Sequence, residues 1–117
     1  MGETHPMVAV SLDNLAVSLA TANKFAGAAE AYRESLAIRD FEDGSSLRNL
    51  ALVLIADGKY KEAESYLKRA LPLVEKSPDL LIQTLNDYAG VLDRLGRKME
   101  STKFHARAKQ AEASIKK

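Results

Sequence analysis

The sequence predicts an all-α fold, an α-solenoid of three helix-turn-helix repeats, on three observations. One phrase occurs three times, as SLDNLA at 11–16, SLRNLA at 46–51 and TLNDYA at 84–89. The copies are 35 and 38 residues apart, close to the period of about 34 residues typical of one class of helical arrays. Each copy is followed, seven residues after its last residue, by a residue that tolerates a left-handed backbone.

The first helix of each repeat carries large apolar residues at helical spacing, which predicts that these residues fill the seam between helices. They are Leu12, Leu15 and Leu19, then Leu47, Leu50 and Leu54, then Leu85, Tyr88 and Leu92. Six helices are predicted in total, near 7–22, 25–39, 45–57, 60–76, 79–95 and 98–115. They form one domain over 1–117, with repeats at about 9–42, 44–77 and 82–115.

The second helix of each repeat follows a turn residue, which is Asn23, Gly58 or Gly96. Small residues at Ala28 and Ala63 allow this helix to approach the first one closely. In the second repeat, Pro72 removes a backbone donor and is expected to kink or shorten the helix.

The last helix is expected to be a polar cap. It holds few large apolar residues, mainly Met99, Phe104 and Ile115. From Arg97 to Lys117 there are seven basic and two acidic residues, a net charge of +5. A polar terminal helix keeps the end of a repeat array soluble.

These residues resemble the tetratricopeptide repeat family, and in particular the variant found in kinesin light chains. The second copy matches best, through Asn49-Leu50-Ala51, Gly58-Lys59-Tyr60, Glu62-Ala63-Glu64, Tyr66 and Arg69-Ala70-Leu71. The first residues, Gly2, His5, Pro6, Val8 and Ala9, resemble the linker that joins repeats in that variant. The chain is therefore expected to be either a segment of a longer array or a shortened relative.

The composition argues against several other classes of function. A formal net charge of +1 is not the basic footprint of a nucleic-acid binder. The chain has no cysteine, and its two histidines, His5 and His105, are far apart, so no metal site, catalytic centre or cofactor is expected. No apolar run is long enough to span a membrane, and a cytoplasmic protein is the simplest expectation. The resemblance implies a non-catalytic module with a protein or peptide as its partner.

The candidate binding residues lie on the solvent-facing side of each first helix, where arrays of this kind form a concave groove. They are Asp13, Asn14, Val17, Arg48, Asn49, Leu52, Asn86, Asp87, Asp93 and Arg94. Asn14 and Asn49 occupy equivalent positions, and a carboxamide can both donate to and accept from a peptide backbone. The sequence thus predicts binding of an extended peptide or a partner helix. A grip on a C-terminal carboxylate, which some relatives use, is not expected, because Asp13 and Asp87 would repel that charge.

An alternative hypothesis comes from the open ends of repeat arrays, which can adhere to neighbouring repeats. In that case the chain is a structural fragment that stacks end to end within a longer array or a homo-oligomer.

Overall fold

The computed structural model describes residues 6–115, apart from the side chain of Pro6, and folds this part of the chain into six α-helices. They are α1 (Pro6–Thr21), α2 (Phe25–Ile38), α3 (Gly44–Ala56), α4 (Tyr60–Val74), α5 (Pro78–Arg94) and α6 (Lys98–Ile115). The prediction of an all-α helical solenoid is confirmed, with each boundary within two residues of the one expected. Gly2 and His5 of the predicted linker lie outside the described residues.

The turn within each helix pair has the same backbone geometry in all three repeats. Asn23, Gly58 and Gly96 all have positive φ, at 62°, 78° and 78°. In each turn, the next residue donates its N–H to a carbonyl five residues earlier, as Lys59 does to Leu54 at 2.8 Å. This bond closes the helix C-terminus. The turns predicted from the sequence are therefore confirmed.

Each helix packs on the helices next to it in the sequence, and α3 also contacts α5. The largest fully buried side chains are leucines, including Leu36, Leu50, Leu67 and Leu92. The small residues predicted to allow close approach are buried as well, and Ala28 and Ala63 have no exposed surface. The core thus runs through the stack between the successive layers.

The predicted seam is wrong at one position, Leu15, which is 50% exposed. Its equivalents Leu50 and Tyr88 are buried because α2 packs against α3 and α4 packs against α5. In the described part of the chain, α1 packs mainly on α2 and has no helix on its other side. Periodicity identifies an apolar position, but the burial of that position depends on a neighbour.

The junction between the first and second repeats is held by specific contacts. Asp40 and Phe41 both have positive φ, at 55° and 56°. Asp43 then caps α3, since its carboxylate accepts a hydrogen bond from the N–H of Ser46 at 3.0 Å. The first residue of α3, Gly44, lies directly against Val74 at the end of α4. Pro72 stands inside α4, which ends two residues later.

The last helix is anchored by only a few residues. Ser101 and Ala108 are buried, and the Phe104 ring stacks on Tyr88 with the centroids 4.2 Å apart. The Tyr88 hydroxyl donates to Glu64 at 3.2 Å, and Glu64 also pairs with Arg97 at 2.7 Å. Burial, followed by the charge of Glu64, raises the pKa of Tyr88 to about 12. The rest of α6 is largely exposed.

Candidate functional site

A depression between α3 and α5 brings together four of the residues predicted to bind. It has a volume of about 260 Å³. Its lining consists of Leu52, Ile55, Asn86, Asp87, Gly90, Val91 and Arg94. The predicted residues here are Leu52, Asn86, Asp87 and Arg94. The depression is apolar at Leu52, Ile55 and Val91 and polar at the other side chains.

Sequence reasoning did not identify Gly90 as part of this site. Gly90 occupies the position equivalent to Val17 and Leu52, and a Cβ atom built on it would meet no atom within 4 Å. The missing side chain therefore helps to open the depression. A glycine in the interior of a predicted helix is a signal that could have located it, because glycine there costs roughly 0.5–1 kcal/mol relative to alanine.

Arg48 and Asp87 face each other and form an ion pair. The Nε atom of Arg48 lies 2.6 Å from Oδ2 of Asp87, and both side chains are about a fifth exposed. Burial raises the pKa of Asp87, although the hydrogen bond and charge of Arg48 act in the opposite direction. The pair joins α3 to α5, so these two charges largely neutralise each other at the site.

The part of the site on α1 is more exposed and less charged. Asn14 is exposed, and Asn49, at the equivalent position of α3, is half-buried. Val17 is 54% exposed. On α1 the exposed groups are therefore the amide of Asn14 and the apolar side chain of Val17, and neither carries a charge.

Asp13 is directed toward the junction of α1, α2 and α3. Its Oδ2 atom lies 2.8 Å from Arg39, which also pairs with Asp43 at 3.4 Å and hydrogen-bonds to Ser35. The other oxygen, Oδ1, is buried with no hydrogen-bond partner among the described residues. The pKa of Tyr32 is raised by burial and by the nearby Asp13 carboxylate. Asp13 therefore links α1 to the end of α2 through its ion pair with Arg39.

Asp93 and Arg94 are adjacent in sequence but contact different helices. Asp93 lies 3.8 Å from Lys98 and 3.7 Å from His105, and its pKa is lowered chiefly by a hydrogen bond from Ser101. All three partners are on α6. Arg94 donates to the Tyr60 hydroxyl at 3.3 Å, which holds it at the rim of the depression. Arg94 thus lies at the depression, whereas Asp93 points away from it.

Within residues 6–115, no group of three or more histidine, cysteine, aspartate or glutamate side chains is placed to hold a metal ion. None of the described helices is long and apolar enough to cross a membrane.

Solved structures with the same fold include three proteins from distant sources. BtubC (BKLC) from P. vanneervenii is 24% identical, with a TM-score of 0.87 over 93% of this chain and 48% of its own. A kinesin light chain repeat structure from Podosopora anserina is 19% identical, with a TM-score of 0.80 over 96% and 58%. The N-terminal domain of stress-induced protein-1 from C. elegans is 13% identical, with a TM-score of 0.83 over 91% and 85%. At such identities the likeness concerns the fold, and this chain spans about half of the first two proteins.

Family comparison agrees with the repeat analysis. A tetratricopeptide repeat model matches residues 42–111, and a second model with the same description matches residues 8–39. A comparison with curated proteins finds no match. The tetratricopeptide fold implies a general role in protein–protein interaction. From the three repeated phrases, the three equivalent turns and these two matches, we conclude that the chain belongs to the tetratricopeptide repeat family.

Proposed function

We propose that the chain binds an extended peptide segment of a partner protein across the exposed sides of α1, α3 and α5. An apolar side chain of the peptide enters the depression between α3 and α5. The amides of Asn14, Asn49 and Asn86 hydrogen-bond to the peptide backbone. The observation that carries the proposal is the depression itself, which combines an apolar lining with amide and charged groups.

The size of the depression favours a peptide side chain over a free small molecule. Its volume of about 260 Å³ lies below the range of about 300–1,000 Å³ that is usual for small-molecule sites. A ligand that fills it with one side chain must obtain the rest of its affinity from contacts outside it. The exposed positions Asn14 and Val17 on α1 supply such contacts.

The charges at the site favour a ligand without a strong net charge. Arg48 and Asp87 are committed to each other at 2.6 Å. Separating them would leave a partly buried charge without a partner, which is costly. Affinity is therefore expected to come from apolar and amide contacts, with Arg94 at the rim as the remaining charged group of the lining.

The most direct test fills the depression from within the protein. A Cβ atom added at Gly90 meets nothing within 4 Å, and Gly90→Leu also removes a helical glycine, so we expect the variant to fold with an apolar side chain in the depression. Peptides are first selected on the unaltered protein from a library of random peptides, and their binding is then measured by fluorescence polarisation. The Gly90→Leu variant is expected to lose at least about tenfold in affinity, which is 1.4 kcal/mol.

Ala106→Leu is the matched control, since it adds the same side chain at an exposed position on α6, outside the depression. It is expected to bind the selected peptides like the unaltered protein. The combined change Asn14→Ala with Asn49→Ala tests the amide contacts separately. Full affinity in the Gly90→Leu variant would refute the depression as the binding site. Full affinity in the double asparagine variant would remove only these amides from the account.

A further inference from the structure

One face of α1 is uncovered in the structure, although the equivalent faces of α3 and α5 are buried. We call it the end face and define it by Val8, Ser11, Leu15 and Ser18. Leu15 is 50% exposed and Val8 is 44% exposed. The positions equivalent to Ser11, Leu15 and Ser18 are buried in both other repeats, namely Ser46, Leu50 and Val53, and Thr84, Tyr88 and Val91.

The end face carries no charge. From Met7 to Thr21 the sequence has a single charged residue, Asp13, and Arg39 holds it on another side of the helix at 2.8 Å. Val8 and Leu15 are seven residues apart, so both project from the same side of α1. The small side chains of Ser11 and Ser18 leave room for a second helix to approach closely.

Stacking onto the other end of a second copy is disfavoured by the residues of α6. In α4, Leu67, Leu71 and Val74 are buried or half-buried. The equivalent positions of α6 hold His105, Lys109 and Glu112, which are all exposed. Covering the end face with this helix would bury charged groups against an apolar surface, which has a high free-energy cost.

We infer that the end face of α1 joins two copies of this chain, α1 against α1, about a two-fold axis. An uncharged face is compatible with its own copy, as a symmetric contact requires. The two helices run antiparallel, and Leu15 of each copy fills the space beside the serines of the other. This contact leaves the depression between α3 and α5 open, so it does not rest on the proposed peptide binding.

The size of the contact sets the conditions for detecting it. A helix of 16 residues is about 24 Å long. A contact of this length and one helix wide lies at or below the lower end of stable interfaces, which bury about 1,200–2,000 Å² in total. Dimerisation is therefore expected to be concentration-dependent.

Sedimentation equilibrium over a wide concentration range tests this directly. The mass of the unaltered chain, 12.8 kDa, is expected to rise toward twice that value. Leu15→Lys is expected to remain monomeric at every concentration. Met99→Lys alters a side chain on α6 that is 83% exposed, and it is expected to dimerise as the unaltered chain does. A strictly monomeric unaltered chain, or a Leu15→Lys variant that still dimerises, would overturn the inference.

Cross-linking tests the symmetry of the contact. The chain has no cysteine, so each introduced cysteine is the sole thiol of its copy. A mixture of the Ser11→Cys and Ser18→Cys variants is expected to form disulfide-linked dimers under mild oxidation, because the antiparallel contact places position 11 of one copy opposite position 18 of the other. The Lys109→Cys variant, mixed with Ser18→Cys, is not expected to link to it. Efficient linkage between these two, with none among the α1 cysteines, would establish head-to-tail stacking instead.

Discussion

The contact between the start of α3 and the end of α4 predicts that Gly44→Ala destabilises the protein. A Cβ atom built on Gly44 would lie 2.6 Å from Cγ1 of Val74 and 3.2 Å from Cβ of Leu73. The first distance is too short for two carbon atoms, whose optimal separation is about 3.5–4.0 Å. Val74 is only 3% exposed, so its side chain cannot turn away into solvent without losing buried contacts.

The expected magnitude is the difference between two effects. Overpacking by one carbon typically costs about 1–3 kcal/mol. Replacing glycine by alanine in a helix returns up to about 1 kcal/mol. The free energy of unfolding is therefore expected to fall by about 1–2 kcal/mol in the Gly44→Ala variant. The assay is urea unfolding followed by far-ultraviolet circular dichroism, in which the midpoint shifts and the slope stays unchanged.

Gly90→Ala is the matched control, because it makes the same chemical change in α5, where the new Cβ meets nothing within 4 Å. It is expected to stabilise the protein by about 0.5–1 kcal/mol. In a Val74→Ala background the clashing Cγ1 atom is absent, so Gly44→Ala should lose most of its cost. If Gly44→Ala behaves like Gly90→Ala, or costs the same with and without Val74, the described contact is refuted.

Two further predictions concern a turn and a buried phenol. Gly58 has a φ of 78°, so Gly58→Ala is expected to cost about 1–2 kcal/mol. Gly58→Asn, which introduces the residue type found at Asn23, should cost less than half as much in urea unfolding, and equal costs would contradict the left-handed turn. The pKa of Tyr88 is about 12 in the folded state and about 10 when unfolded, so the folded state binds more protons between these values. Tyr88 is therefore expected to account for a loss of up to about 3 kcal/mol of stability as pH rises through this window, and Tyr88→Phe should remove that contribution and leave the contribution of Tyr32 in place. The ultraviolet titration difference between the two proteins should show one phenol near pH 12, whereas a difference centred near pH 10 would contradict the burial.

The fold could be predicted because its determinants are local and repeated. The left-handed turns at Asn23, Gly58 and Gly96 follow from residue types that tolerate positive φ. By contrast, the positive φ of Phe41 has no such signal, since phenylalanine seldom adopts it. It occurs where the ring packs on the core and the guanidinium of Arg69 lies 4.9 Å from its centroid. Tertiary contacts hold this conformation, so sequence patterns do not reveal it.

The candidate site was only partly predictable, because side-chain direction depends on neighbouring helices. Helical spacing put Asn86 and Arg94 on the exposed side of one helix, and both side chains line the depression. The same reasoning gave no means of knowing that Arg48 and Asp87, which are 39 residues apart in sequence, pair with each other. It also could not direct Asp93 toward α6, where Lys98 and His105 lie.

The repeat register shows why equivalent positions do not have equivalent roles. Asn14, Asn49 and Asp87 occupy one register position, yet the first is exposed, the second is half-buried and the third is ion-paired. Asn14 is the most exposed of the three because α1 lacks a preceding helix in the described structure, whereas α3 and α5 each have one. Arg48 stabilises the charge of the partly buried Asp87 carboxylate. In this fold, the exposure and pairing of a surface side chain therefore depend on the helices packed beside it. Substitutions at equivalent positions of different repeats are expected to have different effects.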